Sequence, residues 1–293
     1  MHYIKKAGDM KSIRKIIVLS FVLITINGLA IKTKLNLQQA FNKKAIVAKA
    51  LCTGGLELDY SISNFSRDTL ALLLPAGWRF NSDGGKNDFQ DVFITQDQIL
   101  VVAPKSQKKF HIKGFCCEAS KSGPIKGILY TNGKLADSSL VQLARYLNKT
   151  KFDENTQQNA VWAISDNEPT ANVTSVNDSV AEVLRRFVAK LKGEPLPWYT
   201  MLKRTRVSNY GDVTNKPVSF MADVQVSAPS VCYSYCYIID ENGAQVSAKI
   251  GHWVSEAPTE LKTNFKIADL KKGNYKLVVN TNNGGIFGRE FKI

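Results

Sequence analysis

Five cysteines are the side chains of this sequence most capable of covalent chemistry, because a thiol can form a disulfide, bind a metal ion or attack an acyl group. They are Cys52, Cys116, Cys117, Cys232 and Cys236. Neither close pair has the C-x-x-C spacing of a zinc site and no suitable histidine is near, so we predict no metal site. An odd number of cysteines leaves at least one thiol unpaired within the chain in an oxidising compartment.

The adjacent pair in GFCCEAS (114–120) is predicted to be two independent thiols. Neighbouring side chains of a strand point to opposite faces, so Cys116 is expected on the apolar face that continues from Phe110 and Ile112. Cys117 is expected on the opposite, polar face, and it is the predicted unpaired cysteine. Because Cys52 follows alternating apolar residues, a Cys52–Cys116 disulfide is a candidate bond.

A tyrosine stripe accompanies the other two cysteines in VCYSYCYIID (231–240). In an extended segment, Cys232 and Cys236 lie roughly 13 Å apart, whereas a disulfide tolerates Cα separations of only about 7 Å. Tyr233, Tyr235 and Tyr237 fall on the face opposite the cysteines. This stripe is either an exposed aromatic surface that stacks on sugars or protein partners, or a consequence of one face being the inside of a sandwich.

The sequence otherwise contains little that resembles a catalytic site. Outside the N-terminal leader the histidines are His111 and His252, which are far apart and lack acidic neighbours of the catalytic kind. No G-x-S-x-G, H-E-x-x-H, phosphate loop or EF-hand spacing is present. Carboxylates cluster at 88–91 and 153–155, which leaves a carbohydrate-active hydrolase as one alternative if two of them face across a cleft. We predict no catalytic residue and no cofactor.

Residues 1–30 are predicted to be a signal peptide. Basic residues precede an uncharged run from Ile16 to Ile31, and Gly28 and Ala30 supply small residues for cleavage. The run is shorter than the roughly 20 apolar residues of a spanning helix. We therefore expect an exported protein, located in the periplasm, at the cell surface or outside the cell.

The charge of the chain favours anionic partners. The formal net charge is +14; five basic residues and one acidic residue in 1–30 contribute +4, which leaves +10 for the remainder. The remaining lysines are scattered, and no zinc finger, RNA-binding signature or arginine-rich arm is present. These features favour an anionic surface, a polysaccharide or another exported protein as partner over a nucleic acid.

Alternating apolar residues predict a mainly β fold. Leu56, Leu58, Tyr60 and Ile62 share one face of a strand, and short strands separated by turns favour a sandwich over a parallel sheet. Asn242-Gly243 lies between two strand-like runs and predicts a hairpin. We predict a β-sandwich with a helical appendage over 31–195, a connector over 196–216 and a second, immunoglobulin-like β-sandwich over 217–293.

Four segments have the pattern of helices: 35–44, 136–151, 153–167 and 177–194. The first is expected to be capped by Asn36, and the last to end near Gly193. The predicted apolar face of the last helix consists of Val180, Val183, Leu184, Phe187 and Leu191.

The stretch QNAVWAISDN (158–167) resembles the Gln-x-Ala-Ile/Val-Trp segment of bacterial thioester domains, which occur in surface adhesins. In that family a glutamine side chain is linked to an earlier cysteine, and the resulting electrophile traps amines of the host. The resemblance implies Gln158 as the glutamine and Cys52 or Cys116 as the thiol. The aromatic residue that usually follows the family's cysteine is missing at both sites. The alternative is that Ala160, Val161 and Trp162 dock the helix on the sandwich.

The C-terminal 75 residues or so resemble the immunoglobulin-like modules that end exported Bacteroidota proteins. The resemblance lies in YIIDENGAQV, in FKIADLKKGNYKLVV and in the terminal REFKI. Some of these modules are sorting signals for the type IX secretion route, so the resemblance implies attachment to the cell surface.

The sequence therefore predicts an exported, non-catalytic protein that binds a partner or forms part of a surface scaffold. The principal alternative is a covalent thioester adhesin that uses Gln158 and a cysteine.

Overall fold

The computed structural model describes residues 31–83, 89–207, 213–282 and 284–293, and the predicted signal peptide lies outside these ranges. Strands account for 45% of the structure and helices for 19%. This confirms the predicted fold class, a mainly β protein of sandwich type with a few appended helices. Residues 31–293 belong to one compact unit. Within the described ranges, no helix has the length and apolar character needed to cross a membrane.

The N-terminal half is built from short strands. These are β1 (Ile31–Asn36), β2 (Ile46–Gly54), β3 (Glu57–Asn64), β4 (Thr69–Leu74), β5 (Trp78–Phe80), β6 (Val92–Phe93), β7 (Gln98–Val102), β8 (Gln107–Lys113), β9 (Phe115–Cys116), β10 (Leu129–Tyr130) and β11 (Lys134–Leu135). Their sheet orders are β1-β4-β7, β10-β2-β3-β8 and β11-β5-β6-β9. The β1–β4 pair is parallel, and the other pairs are antiparallel.

Strict alternation of apolar residues places the core of this half. Leu58, Tyr60 and Ile62 are fully buried on one face of β3, as predicted. They belong to the same apolar cluster as Leu70 and Leu72 of β4, so the cluster joins the first two sheets into a sandwich.

The helices follow the sequence signals closely. They are α1 (Leu37–Asn42), α2 (Ser138–Leu147), α3 (Glu154–Ser165) and α4 (Asp178–Lys192), with a 3₁₀ turn at Thr170–Asn172. Asn36 caps α1 through a reciprocal capping box with Gln39, and Gly193 ends α4 in the left-handed conformation that glycine adopts without strain. Asp153 caps α3, so this member of the 153–155 carboxylate group has a structural role.

The predicted apolar face of α4 is confirmed for Leu184, Phe187 and Leu191, which belong to or pack against a buried cluster, but was wrong for the first turns of the helix. Val180 and Val183 are 38% and 53% exposed, whereas Ala181, Arg185 and Val188 are buried. Arg185 can turn inward because its guanidinium pairs with Asp178 at 2.7 Å and donates to the carbonyl of Val173. A buried arginine whose charge and donors are satisfied can therefore lie on the inner face of a helix, which hydrophobicity alone does not indicate.

The C-terminal half is a sandwich of two antiparallel sheets. Its strands are β12 (Thr200–Val207), β13 (Val213–Val226), β14 (Cys232–Asp240), β15 (Ile250–Val254), β16 (Thr259–Lys266), β17 (Asn274–Thr281) and β18 (Gly284–Lys292). The sheet orders are β12-β13-β16 and β15-β14-β17-β18. Three strands against four is also the strand number of constant-type immunoglobulin domains. Phe220 and Leu277, one from each sheet, belong to one buried cluster.

The predicted connector 196–216 is largely part of this sandwich. It contains β12 and the first residues of β13, which pair with each other, and Met201 of β12 is fully buried. Trp198 and Tyr199 also pack against the C-terminal core. This segment therefore contains an edge strand, and the sheet begins at Thr200 rather than at 217.

Candidate functional site

The GFCCEAS segment crosses from one sheet to another at Gly114. β8 ends at Lys113 in the sheet with β3, and β9 begins at Phe115 beside β6. A Cβ atom on Gly114 would lie 2.5 Å from Cγ1 of Val92, so only glycine fits where the chain crosses. The alternation of β8 is interrupted at this point.

This crossing overturns the prediction for Cys117. Cys117 is fully buried, although it was expected on an exposed face with lysines. Its thiol packs with Phe93 and Phe115 beneath the helices, while Cys116 packs with Ala119 and Trp162 in a separate cluster. The two thiols do face different surroundings, as predicted, but both surroundings are apolar.

Gln158 of α3 holds the backbone of Cys116. The Cys116 amide N–H donates to Oε1 of Gln158 at 2.9 Å, and Nε2 of Gln158 donates to the Cys116 carbonyl at 2.8 Å. The side-chain amide thus pairs with β9 as a neighbouring strand would. We call this pair of hydrogen bonds the Gln158 clamp.

An ionic network fixes the residues on the other side of the cysteines. Arg79 of β5 donates to Asp91 at 2.7 Å and also pairs with Glu118. Glu118 has a φ of 61°, an uncommon conformation for a residue with a side chain, and it also accepts the amide N–H of Asp91 at 2.9 Å. Asp166, at the end of α3, accepts the amide N–H of Ala119 at 2.6 Å. The segment after β9 is thus held from the sheet and from the helix.

Burial makes these thiols poor nucleophiles. It raises the pKa of the Cys116 thiol to about 12, with smaller contributions from nearby Cys52 and Glu118. Burial raises the pKa of Cys117 as well, and also that of Cys52. All five cysteines are free thiols in the structure, so the Cys52–Cys116 disulfide stays a prediction.

The structure therefore brings together Gln158 and Cys116, two of the three residues implied by the thioester resemblance. The geometry is nevertheless that of a clamp. The side chain of a strand residue projects perpendicular to the direction of its backbone hydrogen bonds. Bonding between Sγ of Cys116 and Cδ of Gln158 thus requires the amide to leave both hydrogen bonds. The rest of the motif docks α3, since Ala160 and Val161 are fully buried.

The tyrosine stripe lies on the outer face of the C-terminal sandwich. Tyr233 and Tyr235 are each 40% exposed and Tyr237 is half-buried, whereas Ser234 and Cys236 are fully buried on the inner face. Burial raises the pKa of Cys236 to about 12. The cysteines and tyrosines of β14 therefore alternate as predicted, and the tyrosines face outward.

A tryptophan that was not among the sequence candidates completes this surface. Trp253 of β15 pairs with Tyr233 across the sheet, and its side chain is 68% exposed. The Tyr233 ring lies edge-on to Trp253 at 5.2 Å and to Tyr235 at 5.4 Å. We call Tyr233, Tyr235, Tyr237 and Trp253 the aromatic platform. The signal for Trp253 is its position in the alternating run IGHWVS, but its partner depends on a register that local sequence does not reveal.

Polar groups border the platform and a glycine shapes it. A Cβ atom on Gly251 would lie 1.9 Å from the Tyr233 hydroxyl, so the missing side chain leaves room for this ring across β15. The Lys249 ammonium lies 5.5 Å from the Tyr235 ring centroid and 5.4 Å from that of Tyr237. Asn280 donates to the Tyr237 hydroxyl at 3.4 Å. The platform is therefore an aromatic surface with a cation and hydrogen-bonding groups beside it.

Of the remaining sequence candidates, His111 lies on β8, and Asp91 belongs to the ionic network beside the cysteines. His111 is exposed and contacts Asp59 at 2.7 Å on β3. Asp91, from the carboxylate group at 88–91, is engaged by Arg79, and Asp88 lies outside the described residues.

Comparison with known proteins gives the chain no relatives from which a role can be taken: no family model matches it, and no curated protein does.

Proposed function

We propose that this chain is an exported, non-catalytic binding or surface-scaffold protein whose contact surface is the aromatic platform. The partner class we favour is a polysaccharide of the cell exterior. The observation that carries the proposal is the cluster of Trp253, Tyr233 and Tyr235 on an outer sheet face. Single exposed apolar side chains are ordinary, but a contiguous aromatic patch bordered by polar groups is typical of a binding surface.

The chemistry of the platform suits sugar rings. A pyranose presents C–H groups on its faces, which pack on aromatic rings, and hydroxyls at its edge, which need hydrogen-bond partners. The Tyr237 hydroxyl, Asn280 and Lys249 supply such partners beside the rings. Because these rings are rigid, little conformational entropy is lost when a ligand stacks on them.

Native affinity electrophoresis of the purified protein tests this proposal. Gels containing a neutral β-glucan or a xylan are expected to retard the wild type in at least one case. Trp253→Ala is expected to weaken that retention about tenfold, because aromatic anchors dominate binding surfaces. Phe65→Ala is the matched control, since Phe65 is an exposed aromatic residue (53%) of the N-terminal half. Equal retention of the two variants would contradict the proposal.

The exported location is a separate part of the proposal. It rests on residues 1–30 and on the resemblance of the C-terminal module. A fusion of residues 1–30 to a reporter that is active only after export checks it. An inactive reporter, together with an uncut leader on the native protein, would overturn it.

A second candidate function is a covalent thioester adhesin. It is favoured by the contact between Gln158 and Cys116. In this reaction Sγ of Cys116 attacks Cδ of Gln158, the C–N bond breaks, and the nitrogen leaves as ammonia with the thiol proton. Intact mass then falls by about 17 Da, and methylamine adds to the acyl carbon and frees the thiol. An unchanged mass and no methylamine adduct exclude this candidate.

A further inference from the structure

A cleft of about 850 Å³ lies beside β12 and β18, where the segments that follow α3 and α4 meet the C-terminal sandwich. It is distinct from the aromatic platform, which lies on the outer face of β14 and β15. Its volume is at the upper end of the range of small-molecule sites.

Cationic side chains outnumber acidic side chains in this cleft by two to one. The cationic lining residues among those described are Lys192, Lys203, Lys216, Lys272, Arg289 and Lys292. The carboxylates among them are Asp166, Glu168 and Glu194. We call this site the cationic cleft.

The three carboxylates are occupied within the protein. Glu168 pairs with Lys203, and both side chains are largely buried. Glu194 accepts the Thr170 hydroxyl and pairs with Lys192 at 3.3 Å. Asp166 accepts the amide N–H of Ala119. These acids therefore leave little negative charge for the rest of the cleft.

Four cations remain exposed: Lys216, Lys272, Arg289 and Lys292. Across the part of the chain that the structure describes, none of the four has a carboxylate partner within ion-pair distance. Burial, and to a lesser degree the charge of Lys272, lowers the pKa of Lys203 although Glu168 opposes the shift. The cleft therefore carries an excess of positive side-chain charge, which a bound anion neutralises.

One of these cations is already held in place. The Arg289 guanidinium lies 4.8 Å from the ring centroid of Trp198. Trp198 is fixed in turn, because its indole N–H donates to the carbonyl of Glu290 at 3.2 Å and its ring packs edge-on against Phe220. A guanidinium held against an aromatic ring has less freedom to lose when it binds a carboxylate or sulfate.

Part of the cleft's wall is apolar. Trp198, Pro217 and Leu270 are partly exposed and line the same cleft. A ligand that fits must therefore carry several negative charges and also present uncharged faces. An acidic oligosaccharide has both properties, because each sugar ring carries an anionic group at its edge and C–H groups on its faces.

We propose that the cationic cleft binds an acidic oligosaccharide, with its carboxylate or sulfate groups at Lys216, Lys272, Arg289 and Lys292 and its rings against the apolar wall. This is a second binding site, and it does not depend on the platform's role.

Calorimetric titration of the purified protein tests the assignment. The probes are an oligogalacturonate tetramer, a sulfated tetrasaccharide, a neutral oligosaccharide of equal length and a short poly-glutamate. One or both acidic saccharides bind, and the comparison between them identifies the preferred anionic group. Raising the salt concentration weakens this binding because exposed charges are screened. The neutral sugar does not bind at the cleft.

A matched pair of double variants locates the site. Lys216→Gln with Lys272→Gln is expected to weaken binding about tenfold, through two exposed charge contacts. Lys49→Gln with Lys134→Gln removes the same charge from exposed lysines of the N-terminal half and is expected to leave binding unchanged. Trp253→Ala is also expected to leave it unchanged, which separates the cleft from the platform.

Three results would overturn the proposal. These are binding of neither acidic saccharide, equal weakening by both double variants, or poly-glutamate binding as tightly as the saccharides.

Discussion

The segment around Cys116 and the aromatic platform differ in whether their functional groups are bonded within the protein or exposed to solvent. Around Cys116, the backbone groups are bound by Gln158, the carboxylates are bound by Arg79, and the thiols are buried. On the platform, Trp253 and Tyr235 expose much of their rings to solvent. The Cys116 segment, which has the more reactive residue types, thus has a structural role. The aromatic platform, whose residues are less reactive, is exposed and can contact a partner.

The largest expected effect is on the ionic network beside the cysteines. Arg79→Met leaves Asp91 without its cation in a largely buried setting, while Glu118 keeps its contact with Lys121 at 3.5 Å, so we expect the free energy of unfolding to fall by about 3–5 kcal/mol. Urea unfolding measures it. Lys113→Met is the control, since it breaks an exposed pair with Glu154 and is expected to cost less than about 1 kcal/mol. Similar losses in the two variants would show that the network is not structural.

The next effect is on the Gln158 clamp. Gln158→Leu removes both partners of the Cys116 backbone, so we expect a loss of about 2–4 kcal/mol in the free energy of unfolding, because two buried polar groups become unsatisfied. Gln157→Leu, on the same helix, removes one hydrogen bond, to Phe152, and is expected to cost about 1 kcal/mol. If Gln158→Leu is as stable as the wild type, the clamp has no structural role.

Thiol reactivity is expected to separate Cys232 from the buried cysteines. In fully reduced, folded protein, Cys232 is expected to react first with a thiol reagent, because it is half-buried while the other four are buried. With its pKa raised to about 12, Cys116 has about a thousandfold less thiolate at neutral pH than an ordinary cysteine. Its reaction is therefore expected to stay slow until the pH rises well above 9.

Mass mapping of the labelled cysteines against time and pH checks this order, with Cys232→Ser as the control that removes the fast phase. Rapid labelling of Cys116 or Cys117 in the folded protein would contradict the buried assignment.

The smallest expected effect is that of the platform on stability. Trp253→Ala is expected to change the free energy of unfolding by no more than about 0.5 kcal/mol, because the side chain is 68% exposed. Urea unfolding beside the Phe65→Ala control measures it. A loss of several kcal/mol would mean that the platform is part of the fold rather than a surface for partners.

Local patterns were sufficient for much of the fold. The alternation in β3, the capping box at Asn36 and the glycine at the end of α4 each depend on residues a few positions apart. For the same reason the two faces of β14 were predicted to separate tyrosines from cysteines, and they do.

Long-range geometry accounts for what the sequence did not predict. Cys117 would face outward only on one continuous strand, whereas the chain crosses between sheets at Gly114, where Val92 approaches closely. The inward turn of Arg185 depends on Asp178 and on a carbonyl twelve residues away. Trp253 joins the platform through the register of β14 and β15. None of these three features can be predicted from a local sequence pattern.

The most direct test of the account measures polysaccharide retention and the free energy of unfolding together for Trp253→Ala and Gln158→Leu. We predict that Trp253→Ala loses retention with unchanged stability, and that Gln158→Leu loses stability while the protein that stays folded keeps its retention. Loss of retention in folded Gln158→Leu, with full retention in Trp253→Ala, would contradict the account and move the function to the cysteine segment.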